Sequence, residues 1–87
     1  MIERPITVRH EKGLEARPIA FLVQEASQYR SQIYLVVGSK KINAKSIMGM
    51  MSLSLMDGDE VTVVADGKDE ELAADGIERF LEGVKQS

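Results

Sequence analysis

The feature that most limits the fold is an alternating run that stops on a glycine and resumes two residues later. From Ile33 to Val37, the residues Ile33, Leu35 and Val37 fall on one side of an extended chain. Gly38-Ser39 follows, and then Lys40-Lys41-Ile42. A two-residue link with glycine supplying positive φ joins strands as a tight hairpin, so this part of the chain is committed to an antiparallel sheet.

The remaining elements are read around that hairpin. Ile2 to Arg9 predicts a half-buried strand, with Ile6 and Val8 against Thr7 and Arg9. Pro5 has no amide hydrogen, which places it near a strand start or on a sheet edge. After Gly13 a helix opens around Ala16, with Pro18 in its first turn and Ile19, Leu22, Val23 and Ala26 as the buried stripe. Ser46 is a natural N-cap for a short, Met-rich helix over Ile47 to Leu55. Asp57-Gly58-Asp59 marks a turn, and Val61, Val63 and Ala65 alternate as a fourth strand. Beyond Asp66-Gly67 a last helix carries Leu72, Ala73, Gly76, Ile77, Phe80, Leu81 and Val84 as one apolar stripe. The order β-α-β-β-α-β-α predicts an α+β open-faced two-layer sandwich: a four-stranded, mainly antiparallel sheet with three helices on one face.

Composition narrows the function. With 87 residues there is room for one domain, residues 1–87. Hydrophobic residues at 44% and charged residues at 29% argue against intrinsic disorder. The absence of cysteine removes disulfides, thiolate metal sites and thiol chemistry, and the single histidine, His10, cannot build a multi-histidine metal site. A net charge of −3 argues against direct nucleic-acid binding. No apolar run suits a membrane span and no leader pattern is visible, so a cytoplasmic domain without metal or cofactor is expected.

Two segments hold more than structure demands. Lys12-Gly13-Leu14-Glu15-Ala16-Arg17-Pro18 is a loop entering a helix, where free amides and an Arg fork suit an anion. The plainer reading makes Glu15 a favourable acid at a helix start and Arg17 its solvated neighbour. In Asn43 to Leu53, the plainer reading makes Ser46 a cap and the methionines core filler. A short helix cannot bury Ile47, Met48, Met50 and Met51 together, however, and exposed methionine favours partner binding. His10 reads as a solvated histidine, and Asp57, Asp59 and Glu60 form only a fragment of a calcium loop. The acids from Asp66 to Glu71 suit the dipole of the last helix, and Tyr29 and Tyr34 are too isolated to stack bases.

Together the two segments resemble the HPr family, the histidine phosphocarriers of the sugar phosphotransferase system. The family motif G-[LI]-H-A-R-P-[AT] meets Gly13-Leu14-Glu15-Ala16-Arg17-Pro18-Ile19, and the Gram-positive regulatory motif N-x-K-S-I-M-G-x-M-S-L meets Asn43 to Leu53. Phe21 to Ala26 also fits, so the resemblance covers essentially the whole chain and implies an HPr-like sandwich. It departs at the nucleophile: Glu15 stands at the phosphohistidine position, and a carboxylate would have to form an acyl phosphate instead of a phosphoramidate. The resemblance is therefore strongest to the Crh branch, the catabolite-repression HPr proteins that also lack the histidine, although these usually carry Gln there. A natural Crh-type protein, a histidine-to-glutamate variant of an HPr and unrelated drift all fit Glu15.

What the resemblance implies is a regulatory protein rather than an enzyme, with no catalytic residue. HPr kinase/phosphorylase would dock on Ile47, Met48 and Met51 and phosphorylate Ser46. Catabolite control protein A, a LacI-type repressor, would read the product with Arg17, Met48 and Met51 at the interface. The alternative is a phosphocarrier of the phosphotransferase system. A monomer or a homodimer is expected.

Overall fold

The structure, a computed structural model, describes residues 1–10 and 16–83, leaving aside the side chains of Ala16 and Arg17. The order is β1 (Ile2–Thr7), α1 (Ala16–Ser27), β2 (Gln32–Val37), β3 (Lys40–Asn43), α2 (Ile47–Met51), β4 (Glu60–Asp66) and α3 (Glu70–Leu81). The four strands form one sheet in the order β1-β4-β2-β3, with all three pairings antiparallel. The hairpin is the expected one: Val37 faces Lys40 across Gly38-Ser39, and Gly38 sits at φ 60°.

Alternation decides what the sheet buries. Ile6 and Val8, Ile33 and Leu35, and Val61, Val63 and Ala65 point to one face, and all are buried. Onto that face α1 packs Ile19, Leu22 and Ala26, α2 packs Met50, and α3 packs Ala73, Ala74, Ile77 and Leu81. Each large side chain buried there contributes about 1.5–3 kcal/mol. On the other face Tyr34, Val36 and Thr62 are half-buried, Val64, paired with Glu3 and Tyr34, is buried there outside the main core, and Lys41 Nζ lies 4.6 Å from the centre of the Tyr34 ring.

At the junction of β1 and β4, Val8 donates to the Asp59 carbonyl at 2.8 Å and accepts from Gly58 N at 2.8 Å. Two residues opposite one, with Gly58 at φ 91°, make a G1 bulge, and a side chain at Gly58 would be strained. Counting back from Val8, the ladder turns every second amide toward β4, so the Pro5 nitrogen faces the free edge, where it removes no rung.

Several expectations change. Strand β1 ends at Thr7 rather than Arg9, because the Arg9 amide is taken by the Leu81 carbonyl at the end of α3 (2.8 Å). Helix α2 stops at Met51, not Leu55: the Ser52 hydroxyl donates back to the Gly49 carbonyl (2.6 Å) and Leu53 N to Met50 O (3.0 Å). Leu72 is 66% exposed and leaves the stripe, and Ala74 takes its place. Val84 lies outside the described residues. His10 is half-buried, not solvated. It stacks on Phe80 (ring centres 5.9 Å apart) with Nε2 2.7 Å from the Phe80 carbonyl, to which it donates.

The acidic entry to α3 also does more than complement a dipole. Asp69 stands at the N-cap without a side-chain bond to its own helix. Its carboxylate accepts instead from the Ser31 hydroxyl and from the amides of Arg30 and Ser31, both at 2.9 Å. These bonds, the Ser31 hydroxyl first, hold Asp69 down at about 2. A depressed carboxylate contributes stability that is complete above its unfolded pKa and fades as pH falls through the folded value. Asp69→Asn should therefore lower the melting temperature near neutral pH and flatten the stability profile between about pH 4 and 2, as followed by circular dichroism.

Candidate functional site

Residues 43–53 are folded mostly by local hydrogen bonds. Asn43 Oδ1 accepts from Lys45 N at 2.9 Å, and Ser46 N donates to Asn43 O at 3.0 Å, turning the chain off the edge strand β3. Ala44 is fully buried and its amide reaches back to the Ile33 carbonyl (2.9 Å). Lys45 extends across to the turn that follows α1, where Nζ donates to the Tyr29 carbonyl at 2.6 Å. Ser46 is the N-cap, as its position in the sequence predicts: at φ −98° and ψ 110°, its Oγ accepts from Gly49 N at 3.2 Å.

Only five residues of helix follow, too few to be stable on their own. Met50 anchors them, 0% exposed, with buried Leu53 and Leu55 behind it. A Cβ at Gly49 would lie 3.2 Å from Ile42 Cγ2 and 3.3 Å from Ser46 Oγ, so a hydrogen there lets α2 settle on β3 beside its own cap. The remaining apolar groups have nowhere to go. Ile47 is 44%, Met48 84% and Met51 50% exposed, and Ser46 is exposed among them.

The structure thus brings Ser46, Ile47, Met48 and Met51 onto one surface. Glu15 and the Arg17 side chain lie outside the described residues; Arg17 belongs to the first turn of α1. Among the described residues no group of three His, Asp or Glu side chains is placed to hold a metal, and no helix is long and apolar enough to cross a membrane. A further signal is the charge of the segment that carries the patch. From Ala26 to Met56 there is no Asp or Glu, while Arg30, Lys40, Lys41 and Lys45 all fall there. Residues 57–87 carry ten carboxylates against three cations, so the signal was available as simple segregation along the chain.

An open-faced sandwich with a capped Ser-Ile-Met helix and an α1 that opens on Ala-Arg-Pro defines a recognisable class. The family model described as "PTS HPr component phosphorylation site" matches residues 2–83, and the chain belongs to that family. Within it, the chain is 43% identical over 82 residues to the HPr-like protein Crh of Halalkalibacterium halodurans, an alignment spanning 94% of this chain and 98% of that one. The crystal structure of HPr-C-His from Thermoanaerobacter tengcongensis superposes with a TM-score of 0.87 at 42% identity, covering 99% of this chain and all of the other. The structure of Bacillus subtilis Crh, a catabolite-repression protein described as a domain-swapped dimer, superposes at 0.78 with 41% identity and full coverage of both chains.

The burial difference within α2 gives a direct check. Met50→Ala should cost about 2–5 kcal/mol in urea unfolding, whereas Met48→Ala should stay within about 0.5 kcal/mol of the parent.

Proposed function

We propose that this protein is a regulatory member of the HPr family acting in carbon catabolite repression, switched by phosphorylation of Ser46, and not an enzyme. The observation that carries the reading is the exposed Ser46 hydroxyl at the head of a helix whose outward side chains, Ile47, Met48 and Met51, are apolar and exposed. HPr kinase/phosphorylase docks on those three side chains and transfers a phosphoryl group to Ser46. The product is recognised by catabolite control protein A, with Arg17, Met48 and Met51 beside the new phosphate. This agrees with the likeness to Crh proteins and with a net charge that disfavours direct contact with DNA.

The chemistry is favourable on both sides of the step. A phosphate at Ser46 adds about −1.5 to −2 charge and three strong acceptors. It arrives on elements that carry no carboxylate between Ala26 and Met56, so no like charge of that segment opposes it. The apolar patch supplies contact area in both states, and the phosphate supplies the difference that a reader with an Arg-lined pocket can measure. Glu15 at the phosphohistidine position argues against the carrier role, since its carboxylate cannot form the phosphoramidate. Assembly as a homodimer belongs to the same proposal, by likeness to the Bacillus subtilis protein.

Incubation with the kinase and ATP should place a single phosphate on Ser46, read by peptide mass spectrometry, and Ser46→Ala should take none. Affinity for the repressor should rise at least tenfold, about 1.4 kcal/mol, on phosphorylation. Phosphate elsewhere, or equal affinity with and without it, would remove this mechanism. In the other direction, Glu15→His should gain labelling from phosphoenolpyruvate and Enzyme I, which the parent chain should not show.

A further inference from the structure

The docking surface is built largely from sulfur. Met48 is 84% and Met51 50% exposed, three residues apart and so on the same side of α2. Met50, between them, is fully buried. The chain has no cysteine, so its thioethers are the only sulfur that an oxidant meets; Met1 and Met56 are also exposed, outside α2, and remain in place in any α2 variant. Helix α2 thus presents two accessible thioethers and shields the one that holds it to the core.

We infer that Met48 and Met51 form an oxidation-sensitive site that closes the docking surface when hydrogen peroxide converts their thioethers to sulfoxides. In each step a sulfur lone pair attacks one peroxide oxygen, the O–O bond breaks and an S–O bond forms. Sulfur loses two electrons, peroxide gains them, and water leaves. The product exchanges a flexible apolar side chain for a polar, chiral one at the centre of the surface a partner must desolvate, and methionine sulfoxide reductases reverse it. Because Met50 is out of reach, the fold survives while the surface changes character. The inference rests on the kinase docking proposed above and adds a second input to it: phosphorylation adds a mark beside the patch, and oxidation alters the patch itself.

The test exposes the folded protein to hydrogen peroxide and maps sulfoxides by peptide mass spectrometry. Met48 and Met51 should be modified well before Met50, and that order should vanish in urea. The oxidised, still folded protein should be phosphorylated on Ser46 by HPr kinase about tenfold more slowly in kcat/KM, a loss on the scale of one desolvated contact. Treatment with methionine sulfoxide reductases A and B should restore the rate. In Met48→Leu/Met51→Leu, whatever its starting rate, the ratio of treated to untreated rates should stay near one. Oxidation of Met50 alongside Met48, an unchanged rate after oxidation at both sites, or the same peroxide loss in the leucine variant would each overturn the inference. If the unoxidised parent is not phosphorylated at all, the kinase reading itself fails, and the inferred closure falls with it. A labelled parent with peroxide-insensitive labelling defeats the inference alone.

Discussion

Everything in this molecule follows from a sheet covered on one side. With helices on a single face, each of the three can bury no more than the stripe that meets Ile33, Leu35, Val61, Val63 and Ala65. For α1 and α3, twelve residues each, that is an ordinary amphipathic arrangement. For α2 it is severe. Five residues give one inward position, Met50, and the sequence around it is nearly all apolar. The exposed patch is therefore the geometric remainder of a short hydrophobic helix laid on one face of a sheet. Its exposure is built in, and the chain tolerates it because the cap, the Asn43 turn and the Lys45 reach to Tyr29 hold the segment without further burial.

The layered architecture was legible because its signals are periodic and local. The hairpin, the α1 stripe, the Ser46 cap and the fourth strand all stand where alternation or a capping residue placed them. What escaped depends on side chains that find partners far along the chain. Asp69 reads as a dipole complement from its neighbours, yet it grips Arg30 and Ser31, 39 and 38 residues away. His10 has nothing nearby to bind and lies instead against Phe80, 70 residues on. Leu72 fits a helical stripe by spacing and is turned out, since the contact of α3 with the sheet runs through Ala73, Ala74 and Ile77. The candidate patch itself was readable from residue type, whereas the lack of carboxylates along Ala26 to Met56 needed the chain to be read for charge.

Two of those distant contacts work on the same helix from opposite ends. Asp69 ties the start of α3 to the turn that follows α1, while Arg9 and His10 bind the carbonyls of Leu81 and Phe80 at its close. Between them Arg4 reaches from β1 to Asp75 and Glu78, which raise its pKa. These ion pairs are partly exposed and each contributes little, about 0–1 kcal/mol, but together with the terminal bonds they fix α3 along its length. Helix α3 is thus held at its start, along its middle and at its close.

The placement of Pro5 has a consequence for how copies of the chain can associate. An incoming strand that tried to extend the sheet beyond β1 would meet the outward amides of Glu3 and Thr7 with a gap between them, because the middle donor is a proline nitrogen. The opposite border, β3, is four residues long and begins with two lysines, which discourages a neighbour by charge. Neither border therefore welcomes growth by simple addition. A strand traded for one the sheet already contains would, by contrast, inherit complete rungs, which a strand added at the β1 border would not find.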